Sequence, residues 1–233
     1  MYTFHTPVMQ REVIESLRCR PGGIFVDGTV GGGGHAAEIL RHTAPDGLLI
    51  GMDVDDDALR EAEQRLKPFG ERKIIVKGNF ADIDSILASL NIEEVDGILL
   101  DLGVSAHQVG TAERGFSFSL NGILDMRMDR SRGISACDVV NTLPEKELAR
   151  IIKDFGEEIM AEKIAKKISI RRKSSPISTT AELADIVASA MSPRSKAGRI
   201  RPATRTFQAL RIYVNDELGN LHEAIDRGVD TLK

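Results

Sequence analysis

Short apolar runs alternate with amphipathic stretches through the first hundred residues of the chain. Four runs are rich in Ile, Leu and Val, and each spans only a few positions: 24–26, 48–53, 74–76 and 95–102. Their length and composition predict buried β-strands. Segments with apolar residues at helical spacing separate them, at 35–41, 56–66 and 83–90. This alternation predicts an α/β fold with a doubly wound parallel sheet.

The pattern changes after residue 103. Residues 112–135 are rich in Gly, Arg and Ser, which predicts a loop. Helical patterns follow at 144–155, 157–171, 180–191 and 203 to about 227, with no strand among them. We therefore expect a core made of residues 1–109 and 204–233 and an all-α insertion subdomain at 110–203.

The composition is that of an ordinary globular protein, with 42% hydrophobic and 28% charged residues. No apolar run follows the N-terminus, and none approaches the roughly 18 residues that a membrane span needs. Cys19 and Cys137 are isolated, which argues against a disulfide framework and against a CxxC site. We predict a cytoplasmic protein that makes no contact with membranes.

The net charge of −4 conceals an uneven distribution. Residues 159–213 contain twelve Lys or Arg and only three Asp or Glu, so this stretch carries +9 and the rest of the chain carries −13. Such an asymmetry is typical of a protein with a polyanionic partner. A solvated helical surface is the alternative interpretation.

Four consecutive glycines, Gly31 to Gly34, follow the first predicted strand and its terminal Asp27. A strand, a glycine turn and a helix N-terminus in this order are typical of a nucleotide-cofactor loop, and a plain tight turn is the alternative. Asp53 ends the second predicted strand. An acid at that place can accept hydrogen bonds from both ribose hydroxyls of an adenosine-type cofactor.

The segment DGTVGGGGHA (27–36) narrows the choice of cofactor. The G-x-G-x-x-G fingerprint fits it poorly, and the G-K-[ST] of a Walker loop is absent. The aspartates of 53–57 raise the alternative of a metal site, but acids in a first helical turn are explained more simply by the helix dipole, so we expect no metal. The pattern D-x-G-x-G-x-G of S-adenosylmethionine-dependent methyltransferases is met at Asp27, Gly31 and Gly33 and missed at Thr29.

Six blocks in the chain together resemble the bacterial ribosomal RNA small-subunit methyltransferase H family, also called the MraW family. The resemblance runs from residue 5 to residue 233. The blocks are HTPVMQREV (5–13), DGTVGGGGH (27–35), DGILLDLGVSAHQ (96–108), AERGFSF (112–118), LDMRMD (124–129) and RPATRTFQALRIYVNDEL (201–218).

The resemblance implies a Rossmann-like methyltransferase core that uses S-adenosylmethionine. It implies methylation of the exocyclic N4 amine of a cytidine in the decoding region of 16S ribosomal RNA, with the small ribosomal subunit as partner. Asp101, or a main-chain carbonyl of DLGVS, is placed where amino-methyltransferases keep an acceptor for the amine, so Asp101 is the expected catalytic residue. The cofactor contacts that the resemblance implies are Gly33, Gly34, His35, Asp53, Phe80, Asp101 and Gln108.

The basic stretch is the expected contact for the RNA backbone. Zinc-dependent deamination is excluded because the H-x-E and P-C-x-x-C pattern is missing. Candidates for stacking on the target base are Phe116, Phe118, Phe207 and Tyr213. The expected substrate-binding residues are Arg171, Arg172, Lys173, Arg199, Arg201 and Arg205.

The chain departs from the family pattern at its C-terminal side. In the family, the helix through LHEAIDRGVDTLK leads into a Pro-Gly-Gly turn and a further strand. We therefore expect a C-terminally truncated form in which the last strands of the sheet are missing, with catalysis less secure than cofactor binding. A catalytically inactive RNA- or cofactor-binding form, and a methyltransferase for another nucleic acid or a small molecule, are the alternatives. The oligomeric state stays open.

Overall fold

The computed structural model describes residues 7–191 and 203–233. The chain divides into two compact units. The first consists of Met1–Ala106 and Glu217–Lys233 and contains the sheet, and the second is His107–Asp216.

A four-stranded parallel sheet forms the centre of the first unit, which confirms the predicted strands and the α/β fold class. Its strands are β1 (Ile24–Asp27), β2 (Leu48–Asp53), β3 (Lys73–Lys77) and β4 (Gly97–Leu99). Their order across the sheet is β3-β2-β1-β4. The chain therefore progresses outward from β1 to β3 and then returns to the other side of β1. Ligands of open α/β sheets bind at the carboxyl ends of the strands where the order reverses in this way.

Both faces of the sheet are covered, as a doubly wound fold requires. The first unit contains α1 (Gln10–Leu17), α2 (Gly34–His42), α3 (Asp56–Leu66) and α4 (Ile83–Ser89). Neighbouring residues of a strand point to opposite faces. Phe25 thus packs in one cluster with Ile39 and Leu66, and Val26 packs in another with Leu87.

The second unit is helical. The helices among its described residues are α5 (Ala106–Gly110), which begins at the boundary residue Ala106, α6 (Ala136–Thr142), α7 (Glu145–Gly156), α8 (Ala161–Arg171), α9 (Thr180–Ala190) and α10 (Thr204–Val214). Helix α11 (Glu217–Val229) returns the chain to the first unit. Short 3₁₀ helices lie at Lys67–Arg72, Phe80–Asp82 and Ala112–Arg114.

The predicted boundary at residue 203 is wrong, because α10 belongs to the second unit. Phe207 and Leu210 are buried in the helical core with Leu148 of α7, so α10 is held there. The predicted continuous helix from 203 to about 227 is also wrong, because it is interrupted between α10 and α11. Asp216 has a left-handed φ of 47° at that break. The side chain of Asn215 is held by the 126–128 loop and accepts the N–H of Met128 at 2.7 Å.

Cys19 and Cys137 are free cysteines. Among the residues that the structure describes, no helix has the length and apolar character that a membrane crossing requires.

Candidate active site

The glycine turn lies between β1 and α2 and is fixed to both neighbouring strands. The N–H of Gly28 donates to the carbonyl of Leu99 at the end of β4, at 2.9 Å. The N–H of Val30 donates to the carbonyl of Met52 in β2, at 2.8 Å. The turn therefore sits at the carboxyl edge of the sheet, where the strand order reverses.

The glycines of this turn serve different purposes. Gly31 and Gly33 have left-handed φ values of 50° and 74°, a conformation that glycine adopts at no steric cost. A Cβ on Gly33 would lie 3.3 Å from Leu66, and one on Gly34 would lie 2.2 Å from Pro7. Packing inside the unit thus excludes a side chain at 34 and would crowd one at 33, whereas a Cβ on Gly31 would meet only the carbonyl of Thr29, at 3.7 Å.

Asp53 ends β2 and holds the turn from the opposite side. Its Oδ2 accepts the N–H of Gly31 at 2.9 Å, and its Oδ1 accepts the N–H of Asp55 at 3.0 Å. Burial raises the pKa of Asp53 to about 6, although these N–H donors act against the rise. Each carboxylate oxygen has a second lone pair. The side chain is therefore oriented, and a carboxylate held in this way can accept hydroxyl groups, which fits the ribose of an adenosine-type cofactor.

The other aspartates of 53–57 have structural partners. Asp55 caps α3 by accepting the N–H of Asp57 at 3.0 Å. Asp56 pairs with Lys77 at 2.8 Å, and Asp57 pairs with Arg60. Within residues 7–191 and 203–233, the structure contains no group of three or more His, Cys, Asp or Glu arranged to hold a metal ion.

Asp101 follows β4 and lies close to the glycine turn. Its N–H donates to Oγ1 of Thr29 at 2.7 Å. Its Oδ2 lies 3.6 Å from Nε2 of His35, a buried residue in the first turn of α2. About a third of the Asp101 side chain is exposed, at 34%. This carboxylate is thus fixed by its surroundings and open to solvent on one side.

A third acid, Asp27, completes the edge. It ends β1, is 1% exposed, and accepts the N–H of Thr29 at 3.2 Å. Burial raises its pKa to about 7; the negative charges of Asp53 and Asp101 contribute to this rise, and the Thr29 hydrogen bond acts against it. Three carboxyl groups therefore share one electrostatic environment, and a positively charged ligand at this edge would relieve their repulsion.

Phe80 follows β3 and borders the same turn. A Cβ on Gly28 would lie 3.0 Å from Cβ of Phe80, so the two residues are in close proximity. Phe80 is partly exposed and begins the short helix Phe80–Asp82, in which Asn79 caps the N–H of Ala81 at 3.0 Å. The structure therefore brings six of the predicted cofactor residues together at one edge of the first unit: Gly33, Gly34, His35, Asp53, Phe80 and Asp101.

Gln108 is the seventh predicted cofactor residue. It belongs to α5 in the second unit, where it is buried.

The predicted RNA-binding residues that the structure describes fall in the second unit, and several of them contact main-chain carbonyls. Arg172 donates to the carbonyl of Val140 at 2.8 Å, and Arg205 donates to that of Glu157 at 3.2 Å. Arg171 donates to Ser175 and lies 3.7 Å from Glu182. Lys173 is exposed. The predicted contacts Arg199 and Arg201 lie outside the described residues.

The aromatic candidates for base stacking differ in exposure. Phe207 is 4% exposed and packs edge-on against Phe118, with ring centroids 5.1 Å apart, so it is a core residue and the stacking prediction for it is wrong. Phe116 is partly exposed and lies 5.7 Å from the guanidinium of Arg114. Tyr213 is partly exposed and packs near Phe155.

Sequence reasoning missed the structural part that Thr29 and Asp27 play in this site. Thr29 was recognised only as the position where the methyltransferase pattern lacks its glycine. A hydroxyl in place of an expected glycine was the one available signal, but its partner Asp101 is 72 residues away in the chain.

Comparisons with known proteins agree with the geometry. Residues 2–233 match the MraW methylase family. The chain is 60% identical to "Ribosomal RNA small subunit methyltransferase H" of Syntrophus aciditrophicus over all of this chain and 74% of that protein. It is 56% identical to the protein of the same name from Syntrophotalea carbinolica, over 98% of this chain and 73% of that protein.

A solved structure described as an rRNA methylase from Streptococcus thermophilus matches 44% of this chain and 58% of that chain, at 19% identity and a TM-score of 0.35. This likeness is too weak to carry an argument, whereas the sequence matches span nearly the whole chain. The chain belongs to the MraW methylase family and is an S-adenosylmethionine-dependent methyltransferase.

Proposed function

We propose that the chain methylates the exocyclic N4 amine of a cytidine in the decoding region of 16S ribosomal RNA, in the cytoplasm and on the small ribosomal subunit. The observation that carries this proposal is Asp101, a carboxylate fixed beside the glycine turn and partly open to solvent. The names of the relatives, which specify the small ribosomal subunit, support the choice of RNA.

The acidic edge of the sheet suits the proposed cofactor. Asp53 is oriented to accept the ribose hydroxyls, and Phe80 lies beside the same turn, where a planar base can pack. The main chain of Gly33, Gly34 and His35 would border the methionine end. When bound, S-adenosylmethionine supplies the methyl group and the leaving group, and its sulfonium charge is favoured by Asp27, Asp53 and Asp101.

Asp101 has the chemical character that the acceptor amine requires. The amine of cytosine is a poor nucleophile because its lone pair is delocalised into the ring. A carboxylate that accepts a hydrogen bond from the amine localises that pair and holds the proton that leaves when nitrogen becomes methylated. His35 next to Asp101 restricts the orientation of the carboxylate, which favours one approach of the amine.

The second unit supplies positive charge for the RNA backbone. Lys163, Lys166 and Lys173 are exposed on or just after α8, and Arg171 is partly exposed at the end of this helix. Phosphate contacts from such residues fix the position of an RNA without reading its sequence. We expect the target base to leave its stack in order to reach Asp101, since a stacked base is inaccessible to an enzyme that acts on it.

The test is incubation of this chain with methyl-labelled S-adenosylmethionine and small ribosomal subunits that lack the modification, followed by digestion of the RNA and identification of the labelled nucleoside. Labelled N4-methylcytidine is the expected product. Label in another nucleoside would contradict the proposed substrate. Absence of label despite cofactor binding would favour a form that binds RNA or cofactor without catalysis.

A further inference from the structure

Thr29 stands where the general methyltransferase pattern has a glycine, and its side chain makes a hydrogen bond to Asp101. Thr29 stands in the glycine turn after β1, and Asp101 stands after β4. Oγ1 of Thr29 accepts the main-chain N–H of Asp101 at 2.7 Å. Glycine at position 29, which the general pattern would place there, could not make this bond.

This bond is one of several hydrogen bonds that link the ends of β1 and β4, at the place where the strand order reverses. Asp27 accepts the N–H of Thr29 at 3.2 Å, and Thr29 in turn accepts the N–H of Asp101. The neighbouring N–H of Gly28 donates to the carbonyl of Leu99 at 2.9 Å. The regular pairing of β1 with β4 ends where Asp27 pairs with Leu99, so Thr29 extends the connection between the two strands beyond the ladder.

The main chain that follows β4 has few regular strand contacts to fix its direction. Strand β4 is three residues long and stands at one end of the strand order in the described sheet. Gly103, two residues after Asp101, has a φ of 136°, which lies outside the conformations that other residues readily adopt. The contact with Thr29 is a local one at residue 101 that helps to fix the direction in which its side chain leaves the main chain.

We infer that Thr29 is a positioning residue for methyl transfer: its hydroxyl oxygen fixes the main chain of Asp101 so that the carboxylate faces the acceptor amine. This inference rests on the proposed function of Asp101. The carboxylate of Asp101 is then controlled from two directions, by Thr29 at its main chain and by His35 at its Oδ2.

Substitutions at Thr29 separate the hydroxyl from the volume of the side chain. Thr29→Val keeps the shape and removes the acceptor, Thr29→Ala removes both, and Thr29→Ser keeps the hydroxyl. Thr43→Val is the matched control, because Thr43 is also in the first unit and its buried hydroxyl donates to a main-chain carbonyl, that of Leu40.

Two measurements test the inference. The first is hydrogen exchange of the Asp101 amide by NMR, which is expected to be slow in the wild-type chain and with Thr29→Ser and faster with Thr29→Val and Thr29→Ala. The second is kcat for RNA methylation at saturating cofactor and RNA. Loss of one hydrogen bond predicts that kcat falls about tenfold with Thr29→Val and Thr29→Ala and is restored by Thr29→Ser.

A purely structural Thr29 would change the thermal midpoint but not kcat of the folded enzyme. Wild-type kcat with Thr29→Val or Thr29→Ala overturns the inference, and so does an equal fall with Thr43→Val. If the Thr29→Val variant does not fold, the comparison of kcat between Thr29→Ala and Thr29→Ser tests the inference instead. If the wild-type chain does not methylate RNA, the proposed function fails, whereas amide exchange of Asp101 still tests the contact with Thr29.

Discussion

The sheet unit and the helical unit of this chain carry opposite charge. Residues 1–106 and 217–233 contain 12 Lys or Arg and 22 Asp or Glu, a net charge of −10. Residues 107–216 contain 19 Lys or Arg and 13 Asp or Glu, a net charge of +6. The modest total of −4 therefore describes neither unit. A cationic cofactor and an anionic RNA favour opposite electrostatic environments, and the two units provide one of each.

The two units also hold their charged groups differently. In the sheet unit, Asp27 and Asp53 are bonded to main-chain N–H groups of the glycine turn and of the turn after β2, and burial raises their pKa values. In the helical unit, Lys163, Lys166 and Lys173 are exposed to solvent. Fixed groups of the first kind suit a ligand of defined geometry, whereas exposed long side chains suit a flexible polymer backbone.

The largest effect is expected from Asp101→Asn, which keeps the shape of the side chain and removes its negative charge. Methyl transfer should fall at least a hundredfold, in line with the loss of a positioned proton acceptor. Single-turnover methylation at saturating cofactor measures this. Asp84→Asn, on the exposed surface of α4, is the control and should have wild-type activity. Full turnover by Asp101→Asn would remove the catalytic role of this residue.

The affinity of the helical unit for RNA should depend strongly on salt concentration. If about four phosphates are neutralised, affinity for the RNA falls roughly a hundredfold between 50 and 200 mM salt. Replacing Lys163, Lys166 and Lys173 together with Gln should weaken binding and make its salt dependence shallower. Lys67→Gln, an exposed lysine of the sheet unit, is the matched control. A salt response that is flat in the wild-type chain would exclude the basic stretch from RNA binding.

Cofactor affinity should depend on Asp53 in the sheet unit. Asp53→Ala removes the acceptor for two hydrogen bonds that involve a charged group, so the dissociation constant should rise about ten- to a hundredfold. Calorimetric titration with S-adenosylhomocysteine measures this without turnover. Asp56→Asn, whose partner Lys77 is at the surface, should bind like the wild type. An unchanged affinity of Asp53→Ala would place the ribose elsewhere.

Stability should depend on pH through the buried acids of the sheet unit. The raised pKa of Asp27, about 7, means that the folded chain binds more protons than the unfolded chain between about pH 4 and pH 7. The free energy of unfolding should therefore fall as pH rises through this window, and Asp53 acts in the same direction up to about pH 6. Asp27→Asn should make urea unfolding less dependent on pH, whereas Glu94→Gln should not. Equal pH dependence in wild type and Asp27→Asn would contradict the assigned environment.

The smallest expected effect is on stability, from removal of a helix cap in the helical unit. Thr179 and Glu182 form a capping box at the start of α9. Thr179→Ala should reduce the free energy of unfolding by about 1 kcal/mol, and Thr179→Ser should retain most of it. Thermal unfolding should register a shift of about 2–4 °C. An equal shift for both variants would mean that the hydroxyl contributes nothing to the cap.

The sheet was predictable from the sequence because its signals are local. Each strand is a short apolar run, and the runs that include β1 and β2 end in an acid, which placed Asp27 and Asp53 at the edge that binds ligands in such sheets. The break between α10 and α11 was not predictable by periodicity, because apolar spacing continues through it. At this break Asn215 contacts the 126–128 loop, a part of the chain that is distant in sequence.

The residues that form the candidate site were predictable from the sequence, but several of the contacts that these residues make were not. The sequence predicts that the glycines at 33 and 34 give space for a cofactor, and the structure adds that Pro7 occupies the volume that a side chain at 34 would need. The contact between Thr29 and Asp101 joins residues 72 positions apart, so no local pattern indicates it. Long-range contacts of this kind depend on the strand order, which a single sequence leaves open.

A crystal structure of the chain with bound S-adenosylhomocysteine would test the assigned cofactor site most directly. We expect the ribose hydroxyls to donate to the carboxylate of Asp53 and the amino-acid end to lie along the turn at Gly33 and Gly34, with Asp101 facing the methyl position. A ligand bound away from the carboxyl edge of β1, β2 and β4, with Asp53 and Asp101 distant from it, would contradict this assignment.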